Sequence, residues 1–572
     1  MKHTFLMYRR AVRSLFWVGS LALLTGCTKQ VETPPTGEVA GQAMVVSARR
    51  EASQIGVDIL QKGGNAFDAM VGTELALAVA YPFAGNLGGG GFMVYRLKDG
   101  QVGALDYREM APLVAHKDMY LDSLGNVIPG MSTKGATGVG VPGTVAGIFA
   151  VHERFGTLPI SDIIGPVIDL VERGVQVTEK QAERLDHYRE QIIEVSGDNT
   201  LFYNDCDAGD TLQYPTLGNT LRRIVKNGRD EFYKGETARI LARFIQERGG
   251  YVTREDLARY EARWRDPVIF TYRDLRIISM SPPSSGGVTM NQILKMMEPF
   301  DLPSFGHNSA KTVQLFTEAA RRAYADRNYF LGDPDFVEIP LDTLLSEAYL
   351  QQRMADFSFE KATPSSAVSH GEVAVYESDE TTHYSIVDSF GNAVSVTTTL
   401  NGAYGSKLYC DELGFFLNNE MDDFSAKPGT PNMFGLIGAE ANSIAPEKRM
   451  LSSMTPTIVE RDGALWMVVG TPGGSTIITA VTQTILNVYE FGLSMQQAVE
   501  APRFHHQWLP DLITFEPEGF SEALKDELRQ KGYHINEDRT PIIGKVDAIR
   551  VLGDGSLEGG ADPRGDDAAV GY

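Results

Sequence analysis

The spacing of apolar residues changes at Thr381, and this change constrains the fold more than any other feature. Upstream, the spacing predicts helices over residues 141–155, 161–174, 181–195, 238–248 and 288–297. Downstream, two short apolar runs around a turn at 389–392 predict a β-hairpin, and a second hairpin signal surrounds 461–463. Helical spacing returns over 476–489 and 494–501. The pattern predicts an α/β (α+β) chain in which helices cover antiparallel sheets.

The region before residue 100 carries strong local signals. From Met44 the spacing predicts a helix that ends at a Gly-Gly pair, and Asn65 predicts the cap of a second helix over 66–80. The glycine-rich segment 85–91 precedes a predicted strand and lacks a Gly-Lys-Ser/Thr sequence, which argues against a phosphate-binding loop. Residues 361–380 are polar and weakly patterned, which predicts an exposed loop directly before Thr381.

The first 27 residues are typical of an export signal. A basic start precedes an apolar run, residues 14–24, that is too short to span a membrane. The run ends in Leu-Thr-Gly-Cys, which resembles the lipobox of bacterial lipoproteins. We expect a signal peptide over 1–26, lipidation of Cys27, a tether over 27–43 and a location on the periplasmic face of a bacterial membrane. The alternative is an ordinary signal peptide with an incidental Cys27 and a periplasmic or secreted protein.

Charge and cysteine content exclude several classes of function. The 74 acidic residues exceed the 52 basic ones, for a formal charge of −22, which argues against a nucleic-acid partner. Three cysteines cannot form a disulfide framework, and whether Cys206 and Cys410 pair is left open. The pair His505-His506 has no partner at metal-ligand spacing, so we interpret it as structural. We expect neither a metal nor a cofactor, and membrane contact through the lipid anchor only.

Residue type alone predicts an ordinary strand at Thr381-Thr382-His383, because threonine is common in β-structure. The surrounding motifs change this interpretation, since together they resemble the γ-glutamyltranspeptidase family. The resemblance covers most of the chain after the tether. It is carried by the segments at 63–69, 85–92, 106–112, 381–388, 391–394, 399–401, 418–424, 451–454, 471–475 and 501–506.

The resemblance implies an N-terminal-nucleophile hydrolase with an αββα sandwich formed jointly by two chains. The precursor would cut itself between Glu380 and Thr381, which gives a large chain ending at 380, with its folded part over 44–380, and a small chain over 381–572. Thr381 would be the nucleophile and its new α-amine the base, since a free α-amine has a pKa of about 7.7–8.0. Thr399 would orient Thr381. The backbone N–H groups of Gly473 and Gly474 would form the oxyanion hole.

The same resemblance implies an amino-acid-like substrate, either glutathione, glutamine or a γ-glutamyl peptide. Arg108 would hold its α-carboxylate, because a guanidinium pairs well with a carboxylate. Water, an amino acid or a peptide would accept the γ-glutamyl group. Further contacts would come from Ser452 and Ser453 to the carboxylate, and from Glu420, Asp423 and Asn401 to the α-ammonium group. A covering lid would contain Phe434, where many bacterial members have tyrosine.

Two other functions stay open at this stage. One is a related N-terminal-nucleophile amidase such as a cephalosporin acylase, against which Arg108, Glu420 and Asp423 argue. The other is a non-catalytic lipoprotein that binds amino acids. The sequence does not decide between transfer and hydrolysis.

Overall fold

The computed structural model describes residues 33–572 except 369–380, 428, 431, 434, 435, 437 and 539–541. The predicted leader, Cys27, Glu380 and Phe434 therefore lie outside the described residues. Within the described part of the chain, no helix is both long and apolar enough to cross a membrane.

Two seven-stranded antiparallel sheets form the centre of the molecule. The first sheet contains the predicted hairpin next to Thr381. Its strands, in spatial order, are Ala568–Gly571, Met44–Ser47, Thr382–Val387, Ala393–Thr399, Gly90–Arg96, Val102–Asp106 and Arg263–Arg265.

The second sheet packs against the first and contains the other predicted hairpin. Its strands, in spatial order, are Val39–Ala40, Leu557–Ala561, Asp547–Val551, Ala464–Gly470, Thr457–Arg461, Leu275–Ser279 and Val268–Tyr272. Each sheet interleaves strands from both sides of residue 381, so the two parts of the chain complete one another's sheets.

Helices cover the outer face of each sheet because alternate strand residues are apolar on that side. Tyr384 and Ile386 of the first sheet share a core with the first helix layer, whereas Val46 and Phe92 share the core between the sheets. The first layer comprises Arg50–Gln61, Ala66–Ala80, Thr144–Phe155, Ile160–Arg173, Glu179–Ser196, Pro215–Asn227, Arg229–Tyr233, Glu236–Glu247 and Arg254–Arg259.

The second layer covers the second sheet. It comprises Gly286–Met297, Leu302–Phe305, Ala310–Phe330, Leu341–Leu344, Glu347–Arg353, Ile477–Tyr489, Met495–Glu500 and Glu522–Gln530. The order of layers is helix, sheet, sheet, helix, which confirms the predicted αββα sandwich.

Most predicted elements are present, with one correction near the start. Asn65 caps Ala66–Ala80 by accepting from the N–H groups of Phe67 (2.9 Å) and Asp68 (3.0 Å), as predicted. The prediction of helix from Met44 is wrong, because Met44–Ser47 is a buried strand of the first sheet and the helix begins at Arg50. Cys206 and Cys410 are both free thiols.

Candidate active site

Two threonine hydroxyls meet at the end of the central hairpin of the first sheet. Thr382 pairs with Thr398 in register, which places Thr381 beside Thr399. The two hydroxyl oxygens are 3.4 Å apart and both side chains are buried. The Asn401 N–H donates to Thr399 Oγ1 at 2.8 Å, so this oxygen is held while its O–H can point toward Thr381.

The face of the hairpin that carries Thr381 and Thr399 is directed toward the second sheet. One step along the same face, His383 Nδ1 lies 2.9 Å from Thr397 Oγ1, and its Nε2 lies 3.1 Å from Ser385 Oγ. Gly470 of the second sheet makes room for this ring, since a Cβ there would lie 2.3 Å from His383 Cε1. Burial lowers the pKa of His383 to about 3, so the imidazole is neutral at neutral pH.

A glycine turn follows the second-sheet strand Ala464–Gly470. Gly473 has φ of 132° and Gly474 has φ of 52°, conformations that L side chains rarely adopt. Gly474 lines the same cleft as Thr381. Among the described residues we find no hydrogen bond donated by the N–H of Gly473 or Gly474, so both groups are available to an incoming oxygen atom.

The cleft around Thr381 is small and polar. Its cavity of about 20 Å³ holds roughly one water molecule, so a substrate would have to displace side-chain contacts. It is lined by Arg108, Arg327, Thr381, Thr399, Asn401, Asp423, Leu436, Ser452, Ser453, Met454, Gly474 and Ile477.

Three carboxylates surround the buried guanidinium group of Arg108. Its Nη1 lies 2.6 Å from Glu420 Oε2 and 3.7 Å from Glu109 Oε2, and its Nη2 pairs with Asp423. Burial raises the pKa of Asp423 to about 6 and that of Glu109 to about 8, although Arg108 opposes both shifts. Burial also raises the pKa of Glu420 well above its usual value. An added positive charge near this cluster would favour the ionised forms of these carboxyl groups, which burial otherwise disfavours.

The polar side chains predicted to contact the substrate are held by hydrogen bonds to backbone groups and to Arg327. Ser452 Oγ accepts from the Met454 N–H at 3.1 Å, and Ser453 Oγ accepts from Arg327 Nη2 at 3.3 Å. Asn401 Nδ2 donates to the Asn419 carbonyl at 3.0 Å. Both serine oxygens thus act as acceptors, which leaves their O–H groups to donate toward the cleft.

Comparison with known proteins agrees with this geometry. The model of the family described as gamma-glutamyltranspeptidase matches residues 52–572. The chain belongs to the γ-glutamyltranspeptidase family. The glutathione hydrolase proenzyme of Escherichia coli K12 is 44% identical over 97% of this chain and 98% of that protein.

Solved structures of related proteins are similar to this chain. The Helicobacter pylori γ-glutamyltranspeptidase crystal structure is 42% identical, with a TM-score of 0.56 over 60% of this chain and 99% of that one. Cephalosporin acylase from Bacillus halodurans is 24% identical and matches with a TM-score of 0.83 over 94% of this chain and 97% of that one, which shows a common fold. The resemblance inferred from the motifs is confirmed.

The fold brings most of the residues predicted from the γ-glutamyltranspeptidase motifs into one place. Those that line the cleft are Thr381, Thr399, Asn401, Arg108, Asp423, Ser452, Ser453 and Gly474. Glu420 does not line the cavity but pairs with Arg108, and Gly473 precedes Gly474 in the same turn. The roles assigned to these residues stay predictions.

The sequence motifs imply no role for two charged residues of this site. Glu109 follows Arg108 and is fully buried, and Arg327 lines the cleft from the helix Ala310–Phe330. A signal for Arg327 was available: it continues the buried stripe of Ala320 and Ala323 at helical spacing, where a charge is costly.

The histidine pair of this γ-glutamyltranspeptidase chain lies in a network of protein contacts. His505 Nδ1 is 2.8 Å from Thr479 Oγ1, and its Nε2 is 2.9 Å from Gln507 Oε1. His506 accepts from the Trp508 N–H at 3.2 Å and lies 3.3 Å from Asp511 Oδ1. No group of three or more His, Cys, Asp or Glu side chains in the described ranges is placed to hold a metal ion.

Proposed function

We propose that this chain is a γ-glutamyltransferase and glutathione hydrolase that uses Thr381 as its nucleophile. The observation that carries the proposal is the pair of buried hydroxyls of Thr381 and Thr399, in a cleft with Arg108, Asp423 and the Gly474 turn. The family and the name of the E. coli relative, a glutathione hydrolase proenzyme, support the same reaction.

Activation would start with cleavage of the bond between Glu380 and Thr381. A threonine hydroxyl is a weak nucleophile without a base beside it. Cleavage frees the Thr381 α-amine, whose ordinary pKa of about 7.7–8.0 suits a base near neutral pH. Nucleophile and base would then lie on one residue in a fixed geometry. The products would be a large chain ending at residue 380 and a small chain over 381–572, held together as a heterodimer by the shared sheets.

In the reaction, Thr381 Oγ1 would attack the γ-carbonyl carbon of the substrate while the α-amine takes its proton. The negative charge that develops on the carbonyl oxygen would be stabilised by the N–H groups of Gly473 and Gly474. The amine leaves with a proton, and a γ-glutamyl ester of Thr381 remains. Water releases glutamate from this ester, whereas an amino acid or peptide accepts the γ-glutamyl group.

The charges around the cleft fit the α-amino acid end of a γ-glutamyl group. Its ammonium group would bind the carboxylate oxygens of Asp423 and Glu420 and favour their ionised forms, with Asn401 beside them. Its carboxylate would pair with Arg108 and accept from Ser452 and Ser453. Because Arg108 contacts Glu420 and Asp423 directly in this structure, the substrate would replace parts of these ion pairs. Glutathione, glutamine and γ-glutamyl peptides all carry this end.

We further propose that residues 1–26 direct export and that Cys27 carries a lipid anchor. The basic start, the short apolar run and the small residues before Cys27 support this. The protein would then act on the periplasmic face of the membrane, or free in the periplasm or medium if Cys27 is unmodified.

N-terminal sequencing of the purified protein, paired with an assay on two substrates, tests the proposal. We expect one chain that starts at Thr381, and rapid cleavage of a γ-glutamyl anilide but not of a glutaryl anilide that lacks the α-ammonium and α-carboxylate groups. Preference for the glutaryl substrate would support a cephalosporin-acylase-like amidase instead. An uncut chain that binds glutamine without turnover would support the binding-protein alternative.

A further inference from the structure

The Thr381 cleft contains a second buried guanidinium group besides that of Arg108. Arg327 lies near the end of the helix Ala310–Phe330, is 3% exposed and lines the cleft together with Thr381. The two guanidinium groups approach the cleft from different elements, because Arg108 lies two residues after the end of the first-sheet strand Val102–Asp106.

The side chains that accept hydrogen bonds from Arg327 are all neutral. Its Nε donates to Ser285 Oγ at 3.3 Å, its Nη1 to Asn328 Oδ1 at 3.0 Å and its Nη2 to Ser453 Oγ at 3.3 Å. Among the residues that the structure describes, no carboxylate forms an ion pair with Arg327. On the same helix, by contrast, Arg321 pairs with Asp511, and Arg322 pairs with Glu318 at 2.6 Å.

A buried cation that lacks a directly paired carboxylate is unfavourable, because the protein interior stabilises its charge less well than water does. Burial lowers the pKa of Arg327 to about 10, although Tyr324 and the more distant carboxylate of Asp423 oppose the shift, so the group is still charged at neutral pH. Arg108 is in the opposite situation, because three carboxylates already face it. An anion that enters the cleft therefore gains more by approaching Arg327 than by approaching Arg108 alone.

We propose that Arg327 is a specificity residue that pairs with the α-carboxylate of the γ-glutamyl group. This rests on the proposed function. Ser453 supports the assignment, because its Oγ accepts from Arg327 and its O–H can donate to the same carboxylate. The carboxylate would then lie between the Arg327 and Arg108 guanidinium groups, with the ammonium group on the side of Asp423.

The test compares two substrates that differ only in charge at this position: γ-glutamyl-p-nitroanilide and its α-carboxamide, which has nearly the same shape and no negative charge. For each enzyme, the ratio of kcat/KM for the two substrates reports how strongly the α-carboxylate is recognised. We expect Arg327→Gln to lower this ratio by about 10- to 100-fold, mainly through a higher KM for the carboxylate substrate.

Arg322→Gln, on the same helix but paired outside the cleft, is the matched control and should leave the ratio unchanged. General damage to the fold lowers both rates and cancels in the ratio, so an Arg327→Gln ratio equal to that of the wild type would overturn the inference. If Arg327→Gln does not accumulate, Arg327→Lys is measured in its place. A higher KM for the carboxylate substrate alone supports the inference, and equal changes for both substrates contradict it. Failure of the wild type to cleave any γ-glutamyl anilide would instead contradict the proposed function.

Discussion

The two faces of the central hairpin carry the same residue type at neighbouring positions and make very different contacts. On the face toward the second sheet, Thr381 and Thr399 place their hydroxyls 3.4 Å apart in the cleft. On the face toward the first helix layer, Thr398 donates to Glu74 and Thr382 lies beside it. Because side chains alternate along a strand, one residue step separates a reactive position from a supporting one.

The supporting face joins the hairpin to the helix Ala66–Ala80. Glu74 accepts from Tyr384 Oη at 2.7 Å and from Thr398 Oγ1 at 2.8 Å. Burial raises the pKa of Glu74 to about 7, although both hydroxyls oppose the shift. Thr382 Oγ1 is buried and has no hydrogen-bond partner within the described part of the chain. The supporting face therefore holds the reactive threonines in place without touching the cleft.

The largest expected difference in activity is between variants of the neighbouring residues Thr381 and Thr382. We expect Thr381→Val to lower activity by at least about 10⁴-fold and to leave the chain uncut, because the substitution keeps the shape and removes the nucleophile. The matched Thr382→Val variant should be cut normally and lose less than about tenfold in rate. Its stability should stay equal or rise by up to about 1 kcal/mol, since an unpaired buried hydroxyl is removed.

Denaturing gels and initial rates measure both outcomes. Two chains in the Thr381→Val sample, or an uncut and inactive Thr382→Val protein, would contradict the assignment of the reactive face.

The glycine turn of the second sheet should give the next largest effect. Gly474→Ala places a side chain at a φ of 52° and displaces the N–H groups that we assign to the oxyanion hole. We expect kcat to fall by about 10²- to 10³-fold. Gly492→Ala is the control, because Gly492 has a similar φ of 67° and open space around it. If both variants lose activity equally, backbone strain rather than the oxyanion hole explains the loss.

Variants of Thr399 and Thr398, on the neighbouring strand, should differ less in kcat. Thr399→Val leaves the Asn401 N–H without its acceptor and Thr381 without its neighbouring hydroxyl, so we expect kcat to fall by about 10- to 100-fold. Thr398→Val removes a hydroxyl that contacts Glu74 and the Gly90 carbonyl, which should lower the thermal midpoint and change kcat little. Steady-state rates and thermal unfolding of both proteins distinguish the roles. A larger fall in kcat for Thr398→Val would reverse the comparison.

Local patterns predicted much of the fold, because they report on contacts within a single element. The cap at Asn65 and the hairpin around Gly391 have their cause in adjacent residues, and both are present. Met44–Ser47 was misassigned because a strand buried on both faces shows no polar alternation. Its partners lie at Thr382–Val387 and Ala568–Gly571, more than 300 residues away, and no local pattern reveals that pairing.

The site shows the same limit. Resemblance to the family supplied Thr381, Thr399 and Arg108, and the fold brings these residues to one cleft. The resemblance did not predict the contacts between site residues, such as the ion pair of Arg108 with Glu420 at 2.6 Å, because these contacts depend on three-dimensional packing. The helical spacing of Arg327 after Ala320 and Ala323 indicates that this charge is buried, but it does not show which groups surround the guanidinium.

The smallest expected effect concerns the supporting face and the pH dependence of stability. The pKa of Glu74 is about 7 in the folded chain and 4.5 ordinarily, so the folded state binds this proton more tightly. The stabilisation is fully present below about pH 4.5 and is lost as the pH rises to about 7, with a total of up to about 3 kcal/mol. The Glu74→Gln variant lacks this titratable group, because an amide does not ionise in this pH range.

We therefore expect the free energy of unfolding of the protein with Glu74, relative to that of Glu74→Gln, to decrease as the pH rises from 5 to 8. Urea unfolding in the Thr381→Val background measures this difference on uncut chains, and Glu109 and Asp423 cancel because both proteins contain them. A difference that stays constant with pH would mean that Glu74 is ionised throughout the range. The two hydroxyls of Tyr384 and Thr398 would then outweigh burial, and the supporting face would carry a permanent charge behind the reactive threonines.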